Sequence, residues 1–367
     1  MQKPAPSQYR IRKTMLKRCL PVFLFALLLL FSGCRLNYLY HAAVGQFQLL
    51  NGSIPVQKAL DENLLPPDQR TRLLLVAKIK EFGENELGLR KTDSYETVFL
   101  KSGLDPIYTV SASTKDRLQQ KTWDFPIVGK MPYLGFFELE RAKAEGKKLS
   151  EENLDVFIGA AGAYSTLGWF ADPVTKNLLE GSTPALVETI LHEMTHTTLY
   201  LKGQGAFNES LAVLVGKVGA FHFFEKTFGP SNPFTLQAKA SLSDERIFSR
   251  FMASLMEELN SLYHSSSTYD EKMTQREQVF NQSLKKFALL KDDFKTDTFS
   301  GFGRVPLNNA YILAVGLYHS HFDLFEKALR KKRGSIKELL LFFKTASENE
   351  EDLLKRTQEW VEESPAR

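Results

Sequence analysis

The residues with the clearest chemical potential lie in the stretch LHEMTHTTLYLKGQGAFNES, which runs from Leu191 to Ser210. His192, Glu193 and His196 form the pattern H-E-x-x-H within it. Residues four apart lie on one face of a helix, so the two imidazoles can reach one zinc ion, whose nitrogen ligands lie about 2.0–2.1 Å away. Glu193, about 100° further round the helix, would flank the ion and act as general base towards the water that zinc activates.

A catalytic zinc site also needs a third protein ligand and an open fourth position. Glu209 is predicted to be that ligand, because twelve residues separate it from His196 and the glycines between them allow the chain to reverse. A solvated helix face with two ordinary histidines is the plainer alternative. It does not account for the predicted cap, the glycine break and the Asn-Glu pair that starts the next helix. We therefore expect one zinc ion per chain.

Two helices must position these side chains. The first is predicted to begin with Thr183 as its N-cap and Pro184 as its first helical residue, and to end at Gly203 and Gly205. The second is predicted to run from about Asn208 to Phe224 and to present Glu209 to the same metal ion.

The rest of the chain predicts an α+β fold that is mostly α-helical, with a small mixed sheet and a helical C-terminal half. SYETVFL and PIYTVSAS have the composition of strands, and apolar residues recur at helical spacing after Pro66-Pro67 and over 236–291. We expect a single unit over 34–367, with a zinc core at about 120–230 and a helical part at about 235–367.

Residues 1–33 are predicted to be a lipoprotein signal peptide, with Cys34 as the lipidated first residue of the mature chain. The apolar run from Leu20 to Phe31 is short for a membrane span, although an anchoring helix is the alternative. Met15 could be the true start. Arg35 replaces the aspartate that retains lipoproteins in the inner membrane of enteric bacteria, which favours the outer membrane.

The charge of the chain argues against a nucleic-acid partner. The full sequence has 47 basic and 43 acidic residues, and removal of segment 1–33 leaves 41 basic against the same 43 acidic. The mature chain would therefore be slightly acidic, and the basic pI of the full sequence comes from the signal peptide. Its two cysteines are Cys19, which leaves with the signal, and Cys34, so no disulfide within the mature chain is expected.

The motif resembles that of the gluzincin zinc peptidases, in which HExxH is followed by an Asn-Glu pair on the next helix. FNESLA is close to the W-L-N-E-G-F-A stretch of the aminopeptidases in that clan. A bacterial family of predicted aminopeptidases, many with lipoprotein signals, is more similar over most of the mature chain. The similarity lies in GCRLNYLYHAAVGQFQLL, WDFPIVGKMPYLGFF, AYSTLGWFADP, LHEMTHTTLYLKGQGAFNESLA and PLNNAYILAVGLYH. This resemblance implies zinc and peptide-bond hydrolysis.

The resemblance also implies an edge strand that pairs with the substrate backbone. The residues predicted for it are Tyr164, Ser165, Thr166, Leu167 and Gly168. A buried strand with Trp169 and Phe170 in the core is the alternative. Gluzincin aminopeptidases place a glutamate here to hold the free amine, and no acid lies between Tyr164 and Phe170. Aminopeptidase and endopeptidase action therefore both stay open.

A donor opposite Glu193 is needed to stabilise the oxyanion. By resemblance Tyr318 is the predicted donor, and Tyr311, His319 and His321 are the alternatives. The sequence thus predicts a lipid-anchored zinc peptidase that faces the periplasm and takes peptide substrates. The rival hypothesis is a non-catalytic, zinc-containing envelope lipoprotein that binds peptides or partner proteins.

Overall fold

The computed structural model describes residues 33–101, 107–125, 129–161 and 171–363. Over these ranges the fold is α+β and mostly helical, as predicted. The helices are α1 (Gly33–Gly52), α2 (Val56–Asp61), α3 (Pro67–Asn85), α4 (Leu139–Glu151), α5 (Lys176–Glu180), α6 (Thr183–Thr198), α7 (Gly205–Phe228), α8 (Pro233–Tyr263), α9 (Tyr269–Leu289), α10 (Asn309–His319), α11 (Phe322–Lys331), α12 (Ile336–Ala346) and α13 (Leu353–Glu362).

The strands form three small sheets in the described part of the chain, where the sequence predicted one small mixed sheet. They are β1 (Ile54–Pro55), β2 (Thr97–Phe99), β3 (Ile107–Ser113), β4 (Trp123–Phe125), β5 (Gly129–Met131), β6 (Leu134–Phe136), β7 (Asp155–Ala161) and β8 (Val174–Thr175). Only the sheet β1-β2-β8 is mixed, since β2 pairs antiparallel with β1 and parallel with β8. The sheet β6-β3-β7 and the pair β4-β5 are antiparallel.

Residue contacts divide the chain into a short segment, Met1–Gln48, and a large unit, Leu49–Arg367. Most of the predicted signal peptide lies outside the described residues, and α1 begins at Gly33 beside the predicted lipidation site. Within the described ranges, none of the helices is long and apolar enough to span a bilayer. The boundaries predicted for the signal peptide and the mature unit remain predictions.

Helix α7 lies at the centre of the large unit. Buried residues occupy almost all of it from Phe207 to Ala220, as expected for a helix surrounded by other elements. Its main neighbour is α6, and α8, α10 and α11 also pack against it. A second buried cluster joins α8, α9 and α10 through many of the phenylalanines, and Phe248 and Phe299 stack there with ring centroids 4.0 Å apart.

The ends of α6 and the start of α7 differ from the prediction by a few residues. Ser182, not Thr183, caps α6 and accepts a hydrogen bond from the backbone N–H of Ala185 at 3.3 Å. The helix ends at Thr198, before the predicted glycines. Gly203 makes the turn with φ +80°, a conformation that glycine adopts without strain. Gly205 begins α7 instead of ending α6.

Candidate metal centre

His192 and His196 lie one helical turn apart on α6, and their Nε2 atoms are 3.1 Å apart. Oε2 of Glu209, in the second turn of α7, lies 3.3 Å from Nε2 of His192 and 3.4 Å from Nε2 of His196. The structure thus brings the three predicted ligands together in a nearly equilateral triangle of potential ligand atoms.

This triangle has the size that a zinc ion requires. Ligand atoms about 2.0–2.1 Å from a tetrahedral zinc ion lie about 3.3 Å from one another. The observed separations are 3.1, 3.3 and 3.4 Å. Two imidazole nitrogens with one carboxylate oxygen also match the donor set of catalytic zinc sites, which leave the fourth position open. The three residues therefore can hold a metal ion and are compatible with zinc.

Asn208 explains how the chain delivers Glu209 to this position. Its side-chain oxygen accepts a hydrogen bond from the backbone N–H of Leu201 at 2.9 Å, and its Nδ2 donates to the Leu201 carbonyl at 2.8 Å. Asn208 is buried, so these two bonds also satisfy a polar group that water does not reach. The α6–α7 connection is thereby fixed to the first turns of α7, directly beside the third ligand.

Attraction between the ligand residues is strong. Burial alone would raise the pKa of Glu209, but the charge of His196 and hydrogen bonds with both imidazoles hold that pKa well below its usual value. Burial lowers the pKa of His196, yet the nearby Glu209 carboxylate raises it by more. Nδ1 of His196 is buried and has no hydrogen-bond partner among the described residues. The Glu209 carboxylate is therefore ionised at neutral pH and available to a cation.

Glu193 is partly buried on the same helix, and no hydrogen bond or ion pair engages its carboxylate among the described residues. Its charge nevertheless contributes to raising the pKa of His196, Tyr95, Tyr133 and Tyr318. A carboxylate that is near the ligands and has no donor among the described residues can accept a proton from a reacting water.

Tyr318 on α10 lies against the metal ligands. Its ring stacks on His192 with centroids 6.3 Å apart and planes inclined by 28°. Burial raises its pKa well above the ordinary value, and Glu209, Tyr133 and Glu193 raise it further. The hydroxyl group therefore stays protonated at neutral pH and can donate a hydrogen bond. The oxyanion-donor role of Tyr318 remains a prediction.

The alternatives to Tyr318 face other partners. Nδ1 of His319 lies 2.6 Å from Oε1 of Glu245, and Tyr311 packs edge-on to Phe157 with centroids 4.8 Å apart. His321 is the residue before α11, and burial lowers its pKa.

Two further tyrosines, which the sequence analysis did not identify, lie near the site. Tyr133 and Tyr318 influence each other's pKa, and burial followed by the charge of Glu209 raises the pKa of Tyr133. The ring of Tyr200 lies 6.3 Å from that of His196, and its hydroxyl contacts the sulfur of Met131 at 3.7 Å. Tyr200 follows His196 by four residues, a spacing that could have suggested it. Tyr133 is distant in sequence and carries no comparable signal.

Tyr95 approaches the site from the segment before β2. It is buried and adopts φ +68°, which is rare for a residue with a bulky side chain. Its backbone N–H donates to the carbonyl of Asp172 at 2.7 Å. Burial raises the pKa of Tyr95 well above its ordinary value, and the charges of Glu193 and Asp172 add to that shift. Backbone strain of this kind is often found at functional sites.

Helix α10 is anchored at its N-terminal end, which orients Tyr318 at the other end. Asn308 caps the helix by accepting from the N–H of Tyr311 at 2.8 Å. The N–H of Asn309 donates to Asp155 of β7 at 3.0 Å. Arg276 of α9 pairs with the same carboxylate at 3.0 Å. The sheet, α9 and α10 are thus joined by one buried polar network.

Two predicted features lie wholly or partly outside the described residues. The substrate strand Tyr164–Gly168 lies outside the described residues. Cys34 lies in the first turn of α1, but its side chain lies outside the described part.

Comparison with known families gives one match. A family model described as "putative aminopeptidase" matches residues 37–359, which is most of the chain. No curated protein is significantly similar to the chain. No solved structure is significantly similar either. Because the match spans α1 to α13 and includes the whole ligand triangle, the chain belongs to this aminopeptidase family.

Proposed function

We propose that this protein is a zinc-dependent peptidase with a gluzincin-like core, and that it acts as an aminopeptidase. The observation that carries the proposal is the triangle formed by His192, His196 and Glu209, with edges of 3.1–3.4 Å and with Glu193 beside it. A structural zinc site is usually closed by four protein ligands. The described residues supply three, which favours a catalytic site.

Each residue near the triangle has a definite task in this proposal. Zinc, when bound, supplies a Lewis acid that polarises the substrate carbonyl and makes water acidic enough to react near neutral pH. The Glu193 carboxylate accepts the proton of the attacking water and later gives it to the leaving amine. The Tyr318 hydroxyl donates a hydrogen bond to the oxyanion. Tyr133, whose hydroxyl group affects the pKa of Tyr318, would help to orient that hydroxyl.

The proposal extends to where the enzyme works. Cys34 after Ser32-Gly33 supports lipidation of the mature N-terminus. The protein would then be anchored to a membrane of the bacterial cell envelope and face the periplasm. Arg35 favours the outer membrane. Peptides in the periplasm are the proposed substrates.

Replacement of the general base tests the enzymatic function. Glu193→Gln keeps the size of the side chain and removes its ability to accept a proton, so kcat should fall by about 10²–10⁴-fold. Glu180→Gln on α5 is a matched control, since within the described part of the chain Glu180 forms only an exposed pair with Lys176 at 3.5 Å. Both variants and the wild type would be assayed on a peptide library with free and with acetylated N-termini.

Cleavage by the wild type and the control, with loss in Glu193→Gln, is the expected result. Restriction of cleavage to free N-termini would support the aminopeptidase assignment, and cleavage of acetylated peptides would replace it with an endopeptidase. Hydrolysis by Glu193→Gln at the wild-type rate would refute the proposed mechanism. Binding of peptides without cleavage by any form would favour the non-catalytic lipoprotein.

A further inference from the structure

A largely buried cluster of polar residues around Lys217 connects the metal-binding helices α6 and α7 with α8 and α10. Nζ of Lys217 on α7 donates to Oε2 of Glu188 on α6 at 3.0 Å and to Oγ of Ser241 on α8 at 2.9 Å. It also lies 3.7 Å from Oε2 of Glu245 on α8. Oε1 of Glu245 lies 2.6 Å from Nδ1 of His319, the last residue of α10. Four helices are therefore joined by side chains that the hydrolytic mechanism above does not use.

The contact between Glu245 and His319 is a charge-assisted hydrogen bond. Glu245 is fully buried on α8. Burial opposes its ionisation, but His319 and Lys217 together hold its pKa below the ordinary value, so its carboxylate is charged at neutral pH. An ionised carboxylate only accepts hydrogen bonds, so Nδ1 of His319 carries a proton and is the donor. Hydrogen bonds to an ionised acceptor are roughly twice as strong as those between neutral groups.

Packing leaves the imidazole ring of His319 little freedom to turn. The ring meets Phe248 edge-on with centroids 5.2 Å apart, and Phe299 edge-on with centroids 5.3 Å apart. One turn earlier, α10 approaches α8 so closely that a Cβ atom added at Gly316 would lie 2.5 Å from Sδ of Met256. The last turn of α10 is therefore held against α8 by ring packing, by close approach at Gly316 and by the hydrogen bond of His319.

Tyr318 depends on this anchoring because it lies one residue before the end of α10. The last turn of a helix lacks its full set of backbone hydrogen bonds, so helix ends fray most easily. The rings of Tyr318 and His319 have centroids 6.4 Å apart, and the ring of Tyr318 also stacks on that of His192 at 6.3 Å. Fixing His319 therefore fixes the segment of backbone from which Tyr318 extends to the metal ligands.

We propose that Glu245 is a positioning residue, which acts through His319 to hold the Tyr318 hydroxyl group at a fixed distance from the metal ligands. Lys217 and Glu188 complete the connection, since Glu188 lies on α6 one helical turn before the first metal ligand. The inference rests on the proposed role of Tyr318 in peptide hydrolysis. Glu245 has no exposed surface, so it acts on the reaction only through its neighbours.

The test compares kcat, KM and zinc content among variants of the full-length protein in detergent, on a peptide that the wild type cleaves. Glu245→Leu removes the acceptor for His319 and leaves Lys217 its partners Glu188 and Ser241. Its kcat should fall by about 10–100-fold, the usual effect of losing a supporting partner at an active site, with KM and zinc content unchanged. Glu245→Gln keeps a neutral acceptor, so its loss of kcat should be smaller.

A double-mutant cycle separates positioning from a general loss of structure. If Glu245 acts through the Tyr318 hydroxyl group, Glu245→Leu should lower kcat little further once Tyr318→Phe has removed that group. Losses that multiply in the double variant, or a wild-type kcat in Glu245→Leu alone, would overturn the inference. Should Glu245→Leu fail to fold, His319→Leu breaks the same hydrogen bond from the other side and enters the same cycle.

Asp244→Asn is the matched control. Asp244 precedes Glu245 on α8 and is also fully buried, but it accepts hydrogen bonds from the backbone N–H groups of Lys295 and Thr296 at 2.9 and 2.7 Å. This variant should lower the thermal stability, since it disturbs buried hydrogen bonds, while kcat stays near the wild-type value. A kcat in Asp244→Asn as low as that of Glu245→Leu would show that any damage to α8 has this effect, and would refute the specific role of Glu245.

Fluorine NMR separates this inference from the proposed function. In protein labelled with fluorotyrosine, the resonance of Tyr318 is the one that Tyr318→Phe lacks. Glu245→Leu should shift or broaden that resonance and Asp244→Asn should not, whether or not the protein cleaves peptides. A shifted resonance without any cleavage would support the positioning role while the proposed function fails. Cleavage by the wild type, with an unshifted Tyr318 resonance in Glu245→Leu, would refute the positioning role alone.

Discussion

Gly216 controls how closely the two metal-binding helices approach each other. It lies on α7, seven residues after Glu209. A Cβ atom added at this position would lie 2.7 Å from the backbone oxygen of Glu188 and 3.4 Å from Cβ of His192. An unstrained carbon–oxygen contact measures about 3.3 Å, so Gly216→Ala must move α7 away from α6 by roughly 0.6 Å.

Such a displacement exceeds what the metal site tolerates. Ligand distances must stay within about 0.2 Å of their ideal values, and Glu209 moves with α7. We expect Gly216→Ala to weaken zinc binding by at least about 10-fold, comparable to the loss of a supporting residue around a metal site. Helix propensity alone predicts that Gly216→Ala stabilises the folded protein, because alanine is favoured over glycine by about 1 kcal/mol in a helix interior.

Gly219→Ala is the matched control on the same helix. The added Cβ atom would meet only the methyl ends of Leu191 and Leu87, both at 2.9 Å, and these side chains can adjust. Zinc affinity of the wild type and both variants would be measured by competition with a chelator, and thermal unfolding would be followed by circular dichroism. Wild-type zinc affinity in Gly216→Ala would refute the argument that contact between α6 and α7 sets the ligand triangle.

Three further predictions concern the surroundings of the site. Tyr318→Phe should lower kcat by about 10²–10³-fold without changing zinc content, as steady-state kinetics would show, because it removes an oxyanion donor; an unchanged kcat would exclude that role. Asn208→Ala should weaken zinc binding by about 10–100-fold in the chelator assay, since the α6–α7 connection loses its hydrogen bonds to Leu201; unchanged affinity would contradict this. The folded-state pKa of Glu245 is depressed, so its contribution to stability is present above about pH 4.3 and is lost as the pH falls through that folded pKa. The unfolding free energy of Glu245→Gln, measured in urea from pH 3 to 7, should therefore rise less with pH than that of the wild type, and equal slopes would refute the assignment.

The ligand set could be predicted from sequence because its signals are local. His192 and His196 have the spacing of one helical turn, and the glycine at 203 shows that the chain can reverse before Glu209. The exact helix start could not be fixed, since Ser182 and Thr183 are both good caps and Pro184 fits either of the first two helical positions.

The surroundings of the ligands could not be predicted because they depend on tertiary packing. Tyr95 and Tyr133 come from segments far along the chain, and no local spacing relates them to the motif. The cluster around Lys217 appears only when α6, α7, α8 and α10 pack together. In the sequence, Lys217 is a single basic residue in an apolar helix. Glu245 lies in a charged segment whose composition predicts exposure to solvent.

The most direct test of the central claim is the metal content of the wild type, Glu193→Gln and His196→Ala after zinc loading and removal of free metal. Elemental analysis would be followed by a peptide-cleavage assay on the same samples. The account predicts one zinc ion per chain in the wild type and in Glu193→Gln, little zinc in His196→Ala, and cleavage by the wild type alone. No zinc in the wild type, or full zinc content in His196→Ala, would contradict it.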